Sequence, residues 1–434
     1  MMFYSLNNTE EKSNFKEAIF NSLASDGGLY FPERINKLSL DFLNNISNYN
    51  NYEIGYEVMK KFVDKSMNSS DLVDIIQKTL NFDFKLCEVE KNIFSFELFH
   101  GPTLAFKDVG AHFLANCLEY YSEDKILNIL VATSGDTGAA VANSFYNKKN
   151  INVYVLFPKN KISDYQERQI TSKGGNIYPI EIDGNFDDCQ SLVKRAFKDK
   201  NLRNQIRISS ANSINIGRWL PQSIYYFILL KELSKINMNN KINVSVPSGN
   251  FGNICAGLIA MKMGLNVNNF IAATNINDTI PRYFKTGKYT PKKTIRTISN
   301  AMDVSDPNNF PRIEHIFDNN FQVLKNKIRA EKVNEEETKD QIKKTYSNSK
   351  YVLDPHGAVG LVGLSRYNLK NEIGIFLETA HPIKFKDSIT EILDVNIDDP
   401  LKLTKDSRNH KIALKNNFSD LVEFVKQSQQ TKLY

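Results

Sequence analysis

The stretch Ile126-Leu127-Asn128-Ile129-Leu130-Val131-Ala132-Thr133-Ser134-Gly135-Asp136-Thr137-Gly138-Ala139-Ala140 decides the fold class. It opens with a short apolar run, the length and composition of a strand buried on both faces. A polar turn with two glycines follows, and the pattern then becomes helical from about Thr137. The same alternation continues down the chain. Strands are expected at 126–132, 153–157, 177–182, 206–209, 242–246, 270–274 and 373–377. Helices are expected to begin near Thr137, Asp164, Asp187, Gly217, Asn253, Gly357 and Asp387. Alternation on this scale predicts an α/β protein with parallel sheets and helices on both faces. In such sheets ligands sit beyond the carboxyl ends of the strands, where loops turn into helices.

Upstream the pattern differs. Residues 1–90 read as a mainly helical N-terminal cap, with apolar spacings of three and four at 14–23 and 71–80. Residues 91–434 read as the core: a smaller subdomain of about 120–210, inserted in a larger one of 91–119 and 211–434. The charged segment 325–350 reads as a solvated helix, and 159–161 and 285–293 as exposed loops.

Bulk properties narrow the function. At 434 residues with 41% hydrophobic and 24% charged side chains, the chain is long enough for more than one sizeable core. Its 55 basic and 49 acidic residues are dispersed, so the net charge of +6 does not point to nucleic acid. Cys87, Cys117, Cys189 and Cys255 form no CxxC pair, which argues against disulfides and structural zinc and for a reducing compartment. The first twenty residues lack a signal-peptide layout, and no apolar run reaches the about 18 residues of a membrane helix. A cytoplasmic protein without a membrane partner is expected. The six histidines show no ligand spacing and no HExxH occurs, so no metal is expected; His112, His315 and His410 read as ordinary core or surface residues.

Five stretches at or near strand ends carry groups capable of chemistry. Val246-Pro247-Ser248-Gly249-Asn250-Phe251-Gly252-Asn253 follows a strand and precedes an apolar helix. Its glycines let backbone N–H groups approach an anion, and the helix adds its positive end. A tight turn with a helix cap is the equal alternative for this stretch taken alone. Thr133 to Gly138 offers hydroxyls and backbone donors at a helix start, or plain capping. His100-Gly101-Pro102-Thr103-Leu104-Ala105-Phe106-Lys107-Asp108 sets a lysine among apolar neighbours, where desolvation would make its amine a nucleophile and base. Asn212-Ser213-Ile214-Asn215-Ile216-Gly217-Arg218 gathers amides, a hydroxyl and a guanidinium, suited either to clamping an anion or to capping a helix. Leu377-Glu378-Thr379-Ala380-His381-Pro382 ends a buried strand. Walker A, GxGxxG and GxSxG motifs are absent, which disfavours a nucleotide enzyme or a serine hydrolase.

Taken in order, SDGGLYFP, FHGPTLAFKD, TSGDTGAA, NSINIGR, VPSGNFGN, AATNINDT, SNAMDVSDPNNFPR, DPHGAVG and ETAHPIKFK resemble the threonine synthases, pyridoxal-phosphate enzymes of fold type II. The resemblance runs from about residue 25 to 390, with small departures such as Gly357 and Ile383 at motif edges. It implies that Lys107 carries pyridoxal 5'-phosphate, that Gly249, Asn250, Phe251, Gly252 and Asn253 cradle its phosphate, and that Thr379 faces its pyridine nitrogen. It implies further that Thr103, Ser134, Asp136 and Thr137 surround the substrate, and that Asn212, Ser213, Asn215 and Arg218 hold a substrate phosphate. The implied substrate is O-phospho-L-homoserine and the implied assembly a monomer or homodimer. The competing readings are a related fold type II lyase such as threonine dehydratase, a phospho-lyase of the same type, and a non-catalytic binding protein on this scaffold.

Overall fold

The computed structural model describes residues 1–430 apart from 64, 124, 237–240, 368, 370–371 and 404–408. Its strands in chain order are β1 (Met2–Ser5), β2 (Lys12–Asn14), β3 (Tyr30–Pro32), β4 (Lys85–Glu90), β5 (Ile93–Glu97), β6 (Leu127–Ala132) and β7 (Ile151–Pro158). There follow β8 (Ile177–Asp183), β9 (Arg207–Ser210), β10 (Ile242–Pro247), β11 (Asn269–Thr274), β12 (Ile328–Lys332), β13 (Ile373–Glu378) and β14 (Ile412–Lys415). All seven expected strands are present, and each expected helix starts within two residues of its expected position.

Two sheets carry the fold. The larger has the order β12-β11-β10-β13-β5-β4 and is parallel except for β4. The smaller, β14-β8-β7-β6-β9, is parallel throughout. Their strands are apolar on both faces because helices cover both; β6, for example, is buried at all six positions.

The cap is mainly helical as expected, and β2-β1-β3 add a small antiparallel sheet at its start. These strands are only three or four residues long, too short for alternation to register. Three other expectations need correction. The cap ends earlier than residue 90. Strand β4 joins the larger sheet as a hairpin with β5, turning at Lys91-Asn92, where Asn92 takes φ +62°. Within 325–350 the expected solvated helix is Glu335–Ser349; before it come the end of the helix Phe321–Lys327 and the edge strand Ile328–Lys332. An edge strand can carry charge on its open side, which hides it among charged residues. Finally, β14 and the helix Phe418–Gln430 belong with the smaller sheet, not the larger. Phe418, Leu421 and Val425 pack there against Tyr154, Tyr178 and Val193.

One continuous core joins the cap to both sheets, running through Phe15, Phe113, Val131, Trp219 and Val246. The cap is therefore not an independent folding unit. Its helix Phe15–Asn21 lies beside β9 and the helix Lys107–Tyr120.

Candidate active site

Lys107 is the first residue of the helix Lys107–Tyr120, which buries Val109, Ala111, Phe113, Leu114 and Leu118. The chain before it is stitched to the exit of β13. The Phe106 N–H donates to the Thr379 carbonyl at 3.0 Å, and His381 N–H to the Leu104 carbonyl at 3.0 Å. Leu104 takes a left-handed φ of +59° to make this corner. Thr103 closes it from within, its N–H and Oγ1 donating to Asp108 at 2.9 and 2.5 Å. The result is a lysine whose amine points into a cavity shared by loops from both sheets.

The small-sheet wall is the turn after β6. Thr133 Oγ1 accepts from the N–H groups of Gly135 and Gly138 at 2.9 and 2.8 Å and so starts the helix Asp136–Phe145. Gly135 has φ +134°, and a Cβ there would lie 2.3–2.5 Å from the Gln166 amide, so the turn requires glycine. Asp136, 2% exposed, sits at the helix's positive end. One carboxylate oxygen is 3.1 Å from Lys107 Nζ; the other is 2.8 Å from Lys384 Nζ and accepts from Gln166 Nε2 at 2.9 Å. Burial alone would raise the Asp136 carboxyl, but Lys107, Lys384 and His356 outweigh it and hold it far below the ordinary range. Burial lowers the Lys107 amine; Asp136 pulls it back up, Lys384 and Arg218 push it down, and the net shift is downward.

The large-sheet wall is the turn after β10. Phe251 takes φ +58° and begins the helix Gly252–Lys262, whose first N–H groups have no intrahelical acceptor. Gly249 packs on backbone: a Cβ there would come within 2.7 Å of Met302 Cα and 2.9 Å of the Ala301 carbonyl oxygen. Tyr225 and Tyr226 hydroxyls both donate to Asn253 Oδ1 at 2.8 Å, leaving its buried Nδ2 without a partner. Thr379 and the Asn212, Ser213 and Arg218 side of the cavity complete the wall. Arg218 is 2% exposed, donates to the Ala211 carbonyl, and has an unpartnered Nε. Burial lowers its guanidinium to about 10, against the pull of Asp108.

Thirteen of the fifteen residues named from the sequence line this one cavity; Thr103 and Asn215 do not. Thr103 supports the Lys107 loop instead. Asn215 is fully buried; its amide donates to the Ile19 and Ser210 carbonyls and to Ser22, and its Oδ1 caps Gly217. Every polar atom of that side chain is engaged, so it ties the cap to the site and is not free to clamp a ligand. Gln166, Lys384 and His356 were missed because nothing local marks them. Arg312 was missed too, and gives the stretch 299–312 a task. Asn308 N–H donates to Asn250 Oδ1 at 2.6 Å, and Asn309 Nδ2 to Ser213 Oγ at 2.9 Å. The Arg312 guanidinium holds the Ser213 and Ile214 carbonyls at 2.9 and 2.7 Å. That stretch thereby braces both the 249–253 turn and the 212–218 loop.

The cavity fits pyridoxal phosphate. It offers a desolvated primary amine, a glycine-lined helix N-terminus opposite it, and unpartnered buried donors on Asn253 and Arg218. Among the described residues no group of three or more histidine, cysteine, aspartate and glutamate side chains could hold a metal.

A family model described as pyridoxal-phosphate dependent enzyme matches residues 85–375, and one described as threonine synthase N terminus matches residues 2–80. Threonine synthase of Haemophilus influenzae is 44% identical over 432 residues, covering 99% of this chain and all of its own. The crystal structure of threonine synthase from Escherichia coli has a TM-score of 0.94 at 39% identity, over 99% of this chain and 100% of that one. That of PLP-bound threonine synthase from Brucella melitensis has a TM-score of 0.91 at 30% identity, with the same coverage. The chain belongs to the threonine synthase family of pyridoxal-phosphate-dependent lyases.

Proposed function

We propose that this chain converts O-phospho-L-homoserine and water to L-threonine and phosphate, with Lys107 as cofactor attachment point and proton carrier. The observation that carries this reading is the placement of Lys107 Nζ. It is 3.1 Å from Asp136, in a cavity lined both by the 249–253 turn and by Asn212, Ser213 and Arg218. A phosphorylated cofactor and a phosphorylated substrate need two anion sites beside one amine.

In this reading Gly249 to Asn253 hold the cofactor phosphate through backbone N–H groups and the start of the helix Gly252–Lys262. Thr379 holds the pyridine nitrogen. Ser134 and Thr137 receive the substrate carboxylate at the start of the helix Asp136–Phe145. Asn212, Ser213 and Arg218 receive the substrate phosphate. When bound, pyridoxal phosphate supplies an electron sink for negative charge developing on substrate carbon. Lys107 Nζ, in the cavity, takes the proton from Cα of the bound substrate. Lys107 Nζ and solvent take up the protons that leave Cα, Cβ and the added water. One is delivered to Cγ, one returns to Cα from Lys107, and one leaves with the phosphate released from Cγ, so that Cβ gains the hydroxyl. Asp136 keeps the amine in place while the proton moves.

The test is phosphate release from O-phospho-L-homoserine by the purified protein, with Lys107→Ala as the inactive control. A visible band on adding pyridoxal phosphate, lost in Lys107→Ala, is the expected companion result. Ammonia release from serine or threonine without phosphate release would instead favour a dehydratase. The reading includes a cytoplasmic enzyme acting as monomer or homodimer, with sedimentation of the purified chain to decide its assembly.

A further inference from the structure

Lys384 is 0% exposed, in the short helical turn Pro382–Phe385 that leaves β13. A lysine ammonium is rarely taken wholly out of water unless it has specific partners. Here there are two, Asp136 Oδ1 at 2.8 Å and the Thr103 carbonyl at 2.9 Å. The first lies on the small-sheet wall of the cavity, the second in the loop that presents Lys107. Lys384 therefore touches, through one ammonium, both the anion beside Lys107 and the backbone that aims it.

The charges around Asp136 do not balance. Its single carboxylate faces the Lys107 and Lys384 amines directly, with Arg218 lining the same cavity, while His356 has its own carboxylate partner in Asp354 at 2.5 Å. The neighbouring Asp108 carboxylate accepts from Thr103 and faces Arg218 and Lys384 electrostatically, but it bonds neither. Two buried amines therefore compete for the one carboxylate that both touch. Lys384 has an anionic acceptor and a carbonyl. Lys107 has Asp136 alone as acceptor, with the Phe106 ring at 5.1 Å, and it stands at the positive end of its own helix.

We propose that Lys384 is a positioning residue that holds Asp136 as its own counter-ion and thereby makes Lys107 the amine that gives up its proton. The effect is reached through Asp136, without contact between Lys384 and the cofactor. It links the two walls of the cavity, since Asp136 and Gln166 come from the small-sheet side and Lys384 and Lys107 from the large-sheet side.

The proposal rests on Lys107 being the attachment lysine, and the test separates the two ideas. The full-length protein, stripped of cofactor, is acylated with acetic anhydride at graded pH, and Lys107 modification is read by peptide mass spectrometry. In Lys384→Met, Asp136 serves Lys107 alone. The midpoint of its acylation is expected to rise by about one pH unit, roughly a tenfold loss of free amine near neutrality. A lost structural contact would lower the melting temperature without moving that midpoint, so an unmoved or lowered midpoint overturns the proposal. Should Lys384→Met not fold, Lys384→Gln is expected to raise the midpoint likewise. Asp136→Asn, which removes only the anion, is expected to lower it, and no drop there would also overturn the proposal. Borohydride fixation of the cofactor to a peptide other than that of Lys107 would overturn the attachment assignment alone.

Discussion

Gly249 and Gly252 stand three residues apart in one turn, and the structure sets them different limits. A methyl group on Gly249 would meet the backbone of Ala301 and Met302 at 2.7, 2.9 and 3.3 Å. Backbone held by neighbouring loops cannot rotate away, so the turn itself has to move. Forcing a methyl into such a space costs about 1–3 kcal/mol. The same methyl on Gly252 would find Asn309 and Ser213 side chains at 3.4 Å or more, which is ordinary contact. If the displaced turn is the cofactor-phosphate cradle, Gly249→Ala passes that cost to binding. A cost of 2 kcal/mol corresponds to about 30-fold weaker affinity. The assay is titration of the cofactor-free protein with pyridoxal phosphate, followed by absorbance, for wild type, Gly249→Ala and Gly252→Ala. The expected order is wild type close to Gly252→Ala, with Gly249→Ala one to two powers of ten weaker. Equal affinities for wild type and Gly249→Ala would refute the argument that the 301–302 backbone fixes the cradle.

Asn215→Ala should lower stability by about 2–4 kcal/mol, the sum of a lost cap and stranded buried acceptors, while KM for O-phospho-L-homoserine stays near wild type. A large rise in KM at unchanged stability would return Asn215 to the substrate clamp. Gly135→Ala should cost at least as much, because its φ of +134° and the 2.3 Å approach to Gln166 both forbid a side chain; thermal melting reads the loss. Glu378 is fully buried beside Asp354, and burial, then Asp354 and Glu97, push its pKa well up. The folded protein therefore holds a proton that the unfolded chain releases above about pH 4.5, so this group's contribution to stability falls as pH rises through that window. Glu378→Gln should melt increasingly above wild type between pH 5 and 8, and a constant difference across that range would argue against a protonated Glu378.

The sheet strands were legible because burial on both faces forces continuous apolar runs, and the helices after them because glycine and capping residues mark their starts. The short strands of the cap and the charged edge strand β12 escaped, since neither is long enough or apolar enough to leave a periodic trace. Strand β14 and the helix after it were misassigned because a chain's return to an earlier sheet leaves no local mark. At the site, Asp136 could be found from its place at a helix start after a glycine turn. Its partners Gln166 and Lys384, 30 and 248 residues downstream, could not.

By itself the sequence determined the α/β class, the order of the strand–turn–helix units, and the family to which the motifs belong. These follow from local chemistry, because apolar periodicity, glycine and capping side chains act within a few residues of one another. Only the tertiary structure decided what each polar group is free to do. Asn215 reads as a ligand clamp in isolation, yet its amide is engaged by Ile19, Ser22 and Ser210 from distant parts of the chain. Lys384 reads as one lysine among many, yet it is sealed against Asp136. Hydrogen-bond capacity and charge balance are properties of a side chain's surroundings, and those surroundings exist only once the chain has closed on itself.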